Sequence, residues 1–255
     1  MKSAVRGALR KAAVLVARLL PARVLEHGFV GVVYARALSL PPAEALRMLF
    51  RIDAALYQLQ GDRAVALGSG THPKHRHMRY HDFFTERIEA TERVLDVGCG
   101  IGALAHSIAA RSGATVIGVD IEPGKIEQAR ARYAHPRVEY LVADATKDVP
   151  GDGYDVVVLS NVLEHLPGRP QFVRTILDNV SARRALIRVP LFERDWRVPL
   201  KRELGVEWRL DPTHETEYTV ASFEQEMDEA GVRIVDCRLR WGEIWAEVAP
   251  LQSDG

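Results

Sequence analysis

The chain has 255 residues, 34 Lys/Arg against 34 Asp/Glu, an apolar fraction of 47% and two cysteines. That length and apolar content suit one large α/β domain with elaborations. The neutral sum excludes a uniformly polycationic surface, and two cysteines exclude a disulfide framework and fit a reducing, cytoplasmic compartment. The charge is uneven: residues 1–90 hold 14 Lys/Arg against 7 Asp/Glu and residues 91–255 hold 20 against 27, so a basic front segment precedes a mildly acidic body.

In chain order, Val5, Leu9, Ala12, Ala13, Val16 and Leu20 recur at spacings of three and four, which predicts a helix with one apolar stripe opposite Lys2, Arg6, Arg10, Lys11 and Arg18. Arg18 breaks its apolar run, so the segment is too short and too charged to span a bilayer, and no small-residue cleavage site follows. Such a helix either packs on its own domain or makes a peripheral contact with an anionic membrane. Pro42 opens a second helix whose apolar face is Leu46, Leu49, Phe50, Leu56 and Leu59, with Gly61 as its expected stop and GDRAVALGSGTHP as a loop. Residues 1–70 are therefore expected as a helical N-terminal extension ahead of a domain at 71–250.

The stretch THPKHRHMRYHDFF follows, with His72, His75, His77 and His81 among Lys74, Arg76 and Arg79. His77 and His81 share a face if one helix covers both. No cysteine lies near and the spacing is not that of a four-ligand zinc site, so no metal is assigned to it.

From residue 93 the pattern changes to short apolar runs, RVLDVG, ATVIGVD, VEYLVAD, YDVVVLS and RALIRVP, separated by helical stretches at 103–111, 123–133 and 171–180. Continuous runs of this kind suit strands covered on both faces by crossover helices. A long polar insertion, 191–218, then leads to a helix near 221–230 and to two runs, RIVDCRLRW and EIWAEVA, spaced as a hairpin at a sheet edge.

Gly98, Gly100 and Gly102 lie between the first run and its helix, where backbone can approach a ligand closely. With Ala103 they also fit a dinucleotide fingerprint. Asp96 tilts the choice, because a carboxylate two residues before the loop repels a pyrophosphate and attracts a cationic amine. Asp120 ends the second run and can accept from ribose hydroxyls, and Asp144 ends the third, where it either meets an adenine edge or caps a turn. An amine, a ribose and an adenine without phosphate describe S-adenosylmethionine (SAM).

The ordered motifs VLDVGCGIG, GVDIEP, VADA and YDVVVLSNVLEHL resemble the class I SAM-dependent methyltransferases, most closely the ubiquinone-pathway and small-molecule O-methyltransferases. The resemblance implies a Rossmann-like seven-stranded, mostly parallel sheet with helices on both faces and a final antiparallel strand. It implies that Asp96, Gly98, Gly100 and Gly102 contact the methionine portion, Asp120 and Ile121 the ribose, and Asp144 and Ala145 the adenine, with Asn161 beneath the sulfonium. It also places residues 71–84 at the active-site mouth, where His77, Tyr80 and His81 would meet the acceptor.

The sulfonium methyl is already electrophilic, so the protein must chiefly align a nucleophile in line with the carbon–sulfur bond and exclude water. A hydroxyl acceptor must also lose its proton, which makes His165 in NVLEHL the first base candidate and His214 the second. Cations around 71–84 favour an anionic acceptor. Trp208 and Tyr218 in the insertion offer platforms for a sugar ring or pack as a minicore, and His214 with Glu215 and Glu217 is an alternative divalent-ion set.

Expected overall is methylation of a small molecule, with a sugar or surface-glycan precursor preferred over a lipid-linked quinone precursor or SAM binding without catalysis. Nucleic acid is not an expected partner: SNVL stands where base methyltransferases often carry an NPPY-like tetrad, and the body is acidic.

Overall fold

The structure, a computed structural model, describes residues 17–251. The stripe expected from Val5 to Val16 lies outside the described residues. The chain forms two compact units: one takes residues up to Arg63 together with Glu203–Val206, the other Ala64–Arg202 and the chain from Glu207 onward.

In the first unit, helix α1 (Ala22–Leu38) buries none of its side chains, while α2 (Pro42–Leu67) buries Ala45 and Phe50. Arg47 Nε donates to the Leu204 carbonyl at 2.9 Å. Helix α2 does not stop at Gly61 as expected but runs six residues further, to Leu67. A helical glycine costs only about 1 kcal/mol, and the Arg63–Leu67 run of helix formers outweighs it. The stop comes at Gly70, at φ 93°, whose N–H donates to the Val65 carbonyl.

The second unit is built on a seven-stranded sheet: β1 (Arg93–Val97), β2 (Thr115–Asp120), β3 (Val138–Val142), β4 (Val156–Ser160), β5 (Arg184–Pro190), β6 (Val232–Arg240) and β7 (Glu243–Pro250). The order is β3-β2-β1-β4-β5-β7-β6, the first five parallel and β7 antiparallel to both neighbours. The expected terminal hairpin is present, its second strand inserted beside β5. Central strands β1, β4 and β5 are buried almost without interruption, whereas the edge strands β3 and β6 alternate, as covered and half-covered positions require.

Successive residues of one strand enter opposite cores. Leu95, Leu159 and Ile187 pack with Val173, Ile176 and Leu177 of α7 (Arg169–Asn179) and with Phe223 and Met227 of α9 (Val220–Glu229). Val94, Val158 and Leu186 pack on the other face with Leu104 and Ile108 of α5 (Ala103–Ser112), Ile126 of α6 (Pro123–Arg132) and Phe83 and Phe84 of α4 (Tyr80–Thr85). Each such side chain, fully buried, contributes roughly 1.5–3 kcal/mol.

The segment before β1 is not one helix. Short α3 (Lys74–Met78) ends at Arg79, which takes left-handed φ 51°, and α4 restarts at Tyr80. His77 and His81 therefore lie on different helices and do not share a face. The 191–218 insertion carries a 3-10 turn (Phe192–Arg194) and α8 (Arg197–Glu203), and it is closed at its base where Phe192 N donates to the Tyr218 carbonyl and Tyr218 N to the Pro190 carbonyl. Helix α9 starts on a reciprocal cap: Thr219 Oγ1 accepts from Ser222 N and Ser222 Oγ from Thr219 N, both at 3.0 Å.

Candidate functional site

The sheet order reverses between β1 and β4, and a cleft of about 730 Å³ opens at the carboxyl ends of these strands. Open α/β sheets bind ligands at such a switch point. Gly98, Asp120, Ile121, Asp144, Ala145, Asn161 and His165 all line it, joined by Lys125, Phe172, Asp211 and Thr213, which sequence reasoning did not single out. Asp211 and Thr213 come from the insertion more than forty residues beyond His165, a proximity that no local spacing encodes.

The glycine loop leaves β1 with Cys99 N donating to the Val119 carbonyl at 2.9 Å. Gly98 sits at φ 65°, and a Cβ there would come within 2.8 Å of Val162 Cγ2. Gly102, at φ 86°, caps α5, and a Cβ would meet the Tyr140 hydroxyl at 2.6 Å. Side chains are thus excluded at both ends of the loop, and at Gly100 between them a Cβ would meet nothing. Asp120 holds the loop in place: its carboxylate accepts from Gly100 N at 3.0 Å and from Glu122 N at 2.9 Å.

Asp96 lies beneath this loop, 1% exposed, with Oδ2 buried and without a hydrogen-bond partner. Burial, and then the Asp120 charge, push its carboxyl up to about 8. A buried carboxylate oxygen without a protein donor fits a ligand that brings a cationic amine. Ile121, 62% exposed at the end of β2, offers an apolar face in the same cleft. Asp144 takes the turn-capping alternative and also lines the cleft: Oδ1 accepts from Thr146 N and Oγ1 and Oδ2 pairs with Lys147, and the Thr146 hydroxyl and then Lys147 hold the carboxyl down to about 2. Asn161, at φ 59°, is the first residue past β4, fixed by its N–H to the Arg188 carbonyl. These residues fit SAM.

At the far wall the insertion folds back on the turn after β4. Glu215 N and Thr216 N both donate to the Glu164 carbonyl, which brings His214 beside His165 with ring centroids 4.7 Å apart and edge to face. His165 Nδ1 meets Thr213 Oγ1 at 3.1 Å, and burial followed by the His214 charge lowers its basicity. His214 is buried and does not line the cleft; its Nδ1 meets Glu217 Oε1 at 3.3 Å. Glu164 is fully buried, with neither carboxylate oxygen hydrogen-bonded, and burial pushes its carboxyl up to about 7. One ligand atom each of Glu164, His165 and His214 lie within 4.8 Å of one another.

The anticipated set of His214, Glu215 and Glu217 does not form. Glu217 is already the acceptor for Arg194, Leu210 N and His214, bonds that hold its carboxyl low against the opposing effect of burial. The acceptor-binding expectations also need correction. Tyr218 is 0% exposed in the core, its hydroxyl donating to Glu226, so it cannot stack on a ligand. Trp208 packs edge to face on Phe192 and under the Arg202 guanidinium, a minicore.

Of the front residues, Tyr80 is buried under the Arg188 guanidinium with its hydroxyl on His75 Nδ1. His81 bonds Ser107 and His77 is exposed, and none of the three is among the residues lining the cleft. Burial keeps both His75 and His81 neutral, down at about 4.

The methyltransferase domain family matches residues 70–236. The ribosomal protein L11 methyltransferase of Dechloromonas aromatica (strain RCB) is 38% identical over 113 residues, 44% of this chain and 37% of that protein. The chain thus spans little more than a third of the length of the curated relatives it matches. Among solved structures, the fold is similar to a complex between the Haloferax volcanii Trm112 methyltransferase activator and a putative methyltransferase, with a TM-score of 0.58 at 16% identity, covering 72% of this chain and 93% of that one. It is also similar to magnesium protoporphyrin IX methyltransferase from Synechocystis PCC 6803 with bound SAH, at a TM-score of 0.54 and 18% identity, covering 69% and 84%. With that match over most of its length and a cleft suited to SAM, the chain belongs to the class I SAM-dependent methyltransferases.

Proposed function

We propose that the protein transfers the methyl group of SAM to a hydroxyl oxygen of a small molecule. The observation that carries this reading is the position of His165: it shares one cleft with Gly98, Asp120 and Asp144, so with SAM bound in that cleft a group able to manage a proton would stand within it. On this reading Asp96 takes the amine of the cofactor, and the Gly98–Gly102 backbone takes its carboxylate end. Asp120 and Ile121 hold the ribose, Asp144 and Ala145 flank the adenine, and Asn161 underlies the sulfonium. Residues 71–250 carry the reaction, and the preceding helices are accessory.

The acceptor oxygen attacks the methyl carbon as the carbon–sulfur bond breaks, and the electron pair leaves on sulfur to give the neutral thioether. Most of the acceleration comes from alignment in a site closed to water, which can supply as much as ~7–11 kcal/mol. A sugar acceptor would need contacts other than Trp208 and Tyr218, which are packed internally.

The test is release of S-adenosylhomocysteine by the purified full chain against separate pools of sugar nucleotides, hydroxylated aromatic acids, quinols and ribosomal protein L11. Turnover with a small hydroxylated pool supports the reading; turnover with L11 alone replaces it with protein methylation.

A lipid-linked acceptor is the second reading. It is favoured by the exposed apolar side chains of α1, with Leu25, Phe29 and Val32 on one side of the helix and Val30, Tyr34 and Leu38 on the other. No helix among the described residues is long and apolar enough to cross a membrane. Failure of the intact protein to float with anionic liposomes would end that version.

A further inference from the structure

Helices α1 and α2 meet around a hollow of about 370 Å³ lined by Arg36, Leu40, Glu44, Arg47, Met48 and Arg51. It lies wholly within the first compact unit and shares no lining residue with the SAM cleft. Three guanidinium groups and one carboxylate line it, and among the described residues no ion pair joins Glu44 or any other acid to these arginines. Arg47 and Arg51 stand four apart on α2, where like charges on successive turns repel. An excess of two positive charges, gathered from two helices, suits a dianion.

The three arginines are held differently. Arg47 is half-buried, and its Nε donates to the Leu204 carbonyl at 2.9 Å, a bond that fixes the guanidinium plane. Among the described residues its two terminal nitrogens have no acceptor. Arg36, in the last turn of α1, donates through Nη1 to Ser39 Oγ at 3.3 Å, while Ser39 Oγ donates to the Arg36 carbonyl at 2.8 Å. Arg51 is exposed and makes no hydrogen bond or ion pair among the described residues. A rigid fork of N–H donors matches the oxygens of a phosphate two at a time, which an ammonium group cannot do.

The helix face that leads away from the hollow is apolar. From Arg36 back along α1, steps of four, three and four residues reach Val32, Phe29 and Leu25, all on one side of the helix and all exposed. At 1.5 Å per residue that strip is about 16 Å long, a length suited to an acyl or prenyl chain.

We propose that Arg36, Arg47 and Arg51 bind the phosphate group of an amphiphilic phosphate ester, whose apolar chain lies along Val32, Phe29 and Leu25. Charge and shape are then matched at both ends of the ligand: a dianion among guanidinium forks, and hydrocarbon on an apolar strip that nothing in its own helix pair covers. The site goes beyond the methyl transfer and does not depend on it, since no residue of the SAM cleft takes part.

The full-length protein is mixed, at constant ionic strength, with phosphatidylcholine vesicles containing phosphatidic acid and with vesicles brought to the same surface potential by oleate. Sedimentation with the phosphatidic acid vesicles alone is expected, weakened roughly tenfold or more in Arg36→Gln and in Arg51→Gln. Arg240→Gln, which removes an exposed cation of β6, should bind as the wild type does. Arg51→Lys keeps the charge without the fork and should restore only part of the binding. Melting curves and SAM uptake of Arg36→Gln and Arg51→Gln should match the wild type, which separates loss of the site from loss of the fold. Calorimetry with inorganic phosphate distinguishes the sources: uptake of phosphate with no vesicle binding, abolished by the same two variants, upholds the arginine site and removes the apolar strip from it. Equal binding to oleate vesicles, a loss as great in Arg240→Gln, or unchanged affinity in both arginine variants overturns the proposal.

Discussion

The two walls of the cleft are built differently. The wall from β1 to β3 is local in sequence: Gly98, Asp120 and Asp144, which line it, each stand at the end of their own strand, and Asp120 braces the first turn by a bond to Gly100 N. The opposite wall is an assembly of distant parts, in which the turn after β4 supplies His165 and an excursion some fifty residues later supplies Asp211 and Thr213, with Glu164 and His214 buried behind them. A cofactor common to a family can be held by the first kind of wall, since the strand ends fix it. The second kind can be rebuilt without touching the sheet, and it is where acceptor chemistry can diverge.

The largest expected effect tests the assembled wall. In Glu217→Leu the Arg194 guanidinium loses its buried partner and His214 its orienting acceptor. Breaking a buried pair from one side costs about 3–5 kcal/mol, so the melting temperature should fall by roughly 6–20 °C at ~2–4 °C per kcal/mol. SAM affinity, measured by calorimetry below the melting range, should fall less than tenfold. A larger loss of SAM binding than of stability would mean the two walls are not separable.

Next comes the strand-end wall. Asp120→Ala leaves Gly100 N and Glu122 N without their acceptor. SAM affinity should drop on the order of a hundredfold, which is about 2.7 kcal/mol, while far-ultraviolet circular dichroism and melting stay close to wild type. Unchanged affinity would detach Asp120 from the cofactor.

The proton balance of Asp96 is a sharper probe of the same wall. Free protein holds this carboxyl neutral up to about 8, and a cationic amine pairs only with the charged form. Below that value SAM affinity should therefore rise towards tenfold per pH unit, level off above it, and release close to one proton at pH 7 when titrated in buffers of different ionisation enthalpy. Because the folded pKa is raised, the folded chain binds more protons than the unfolded one between the ordinary carboxylate range and about 8, so this group's share of stability is lost as pH rises across that window. Asp96→Asn should abolish the pH slope of binding; its persistence would assign the proton elsewhere.

The smallest effect falls outside both walls. Thr219→Ala removes the acceptor for Ser222 N at the start of α9 and should cost about 1 kcal/mol in thermal or urea melts, leaving SAM affinity unaltered.

The same division governs how much was legible in the sequence. Strand runs, crossover helices and the final hairpin follow from apolar periodicity, and the strand-end places of Gly98 and Asp120 beside the cleft follow from the same periodicity. His165 was readable as the end of the turn after β4. His214 was found but given the wrong companions, Glu215 and Glu217, because sequence spacing offers neighbours along the chain, whereas the backbone bonds to the Glu164 carbonyl bring a carboxylate from fifty residues earlier. Tyr218 and Trp208 misled for a related reason: aromatic side chains in a polar stretch look available to a ligand, and only the packing shows that Glu226 and Phe192 already occupy them. At Arg79 nothing local announces a left-handed break, since glycine and asparagine are the residues that usually mark one.

The clasp joining Leu191 to Tyr218 has an evolutionary corollary. Both ends of the excursion emerge at one spot beside β5, so its contour can lengthen or shorten while the barrier to closing it grows by only about 0.6 kcal/mol per doubling. Lineages descending from such a scaffold can therefore trade this segment as a cassette without disturbing the sheet or its strand-end turns.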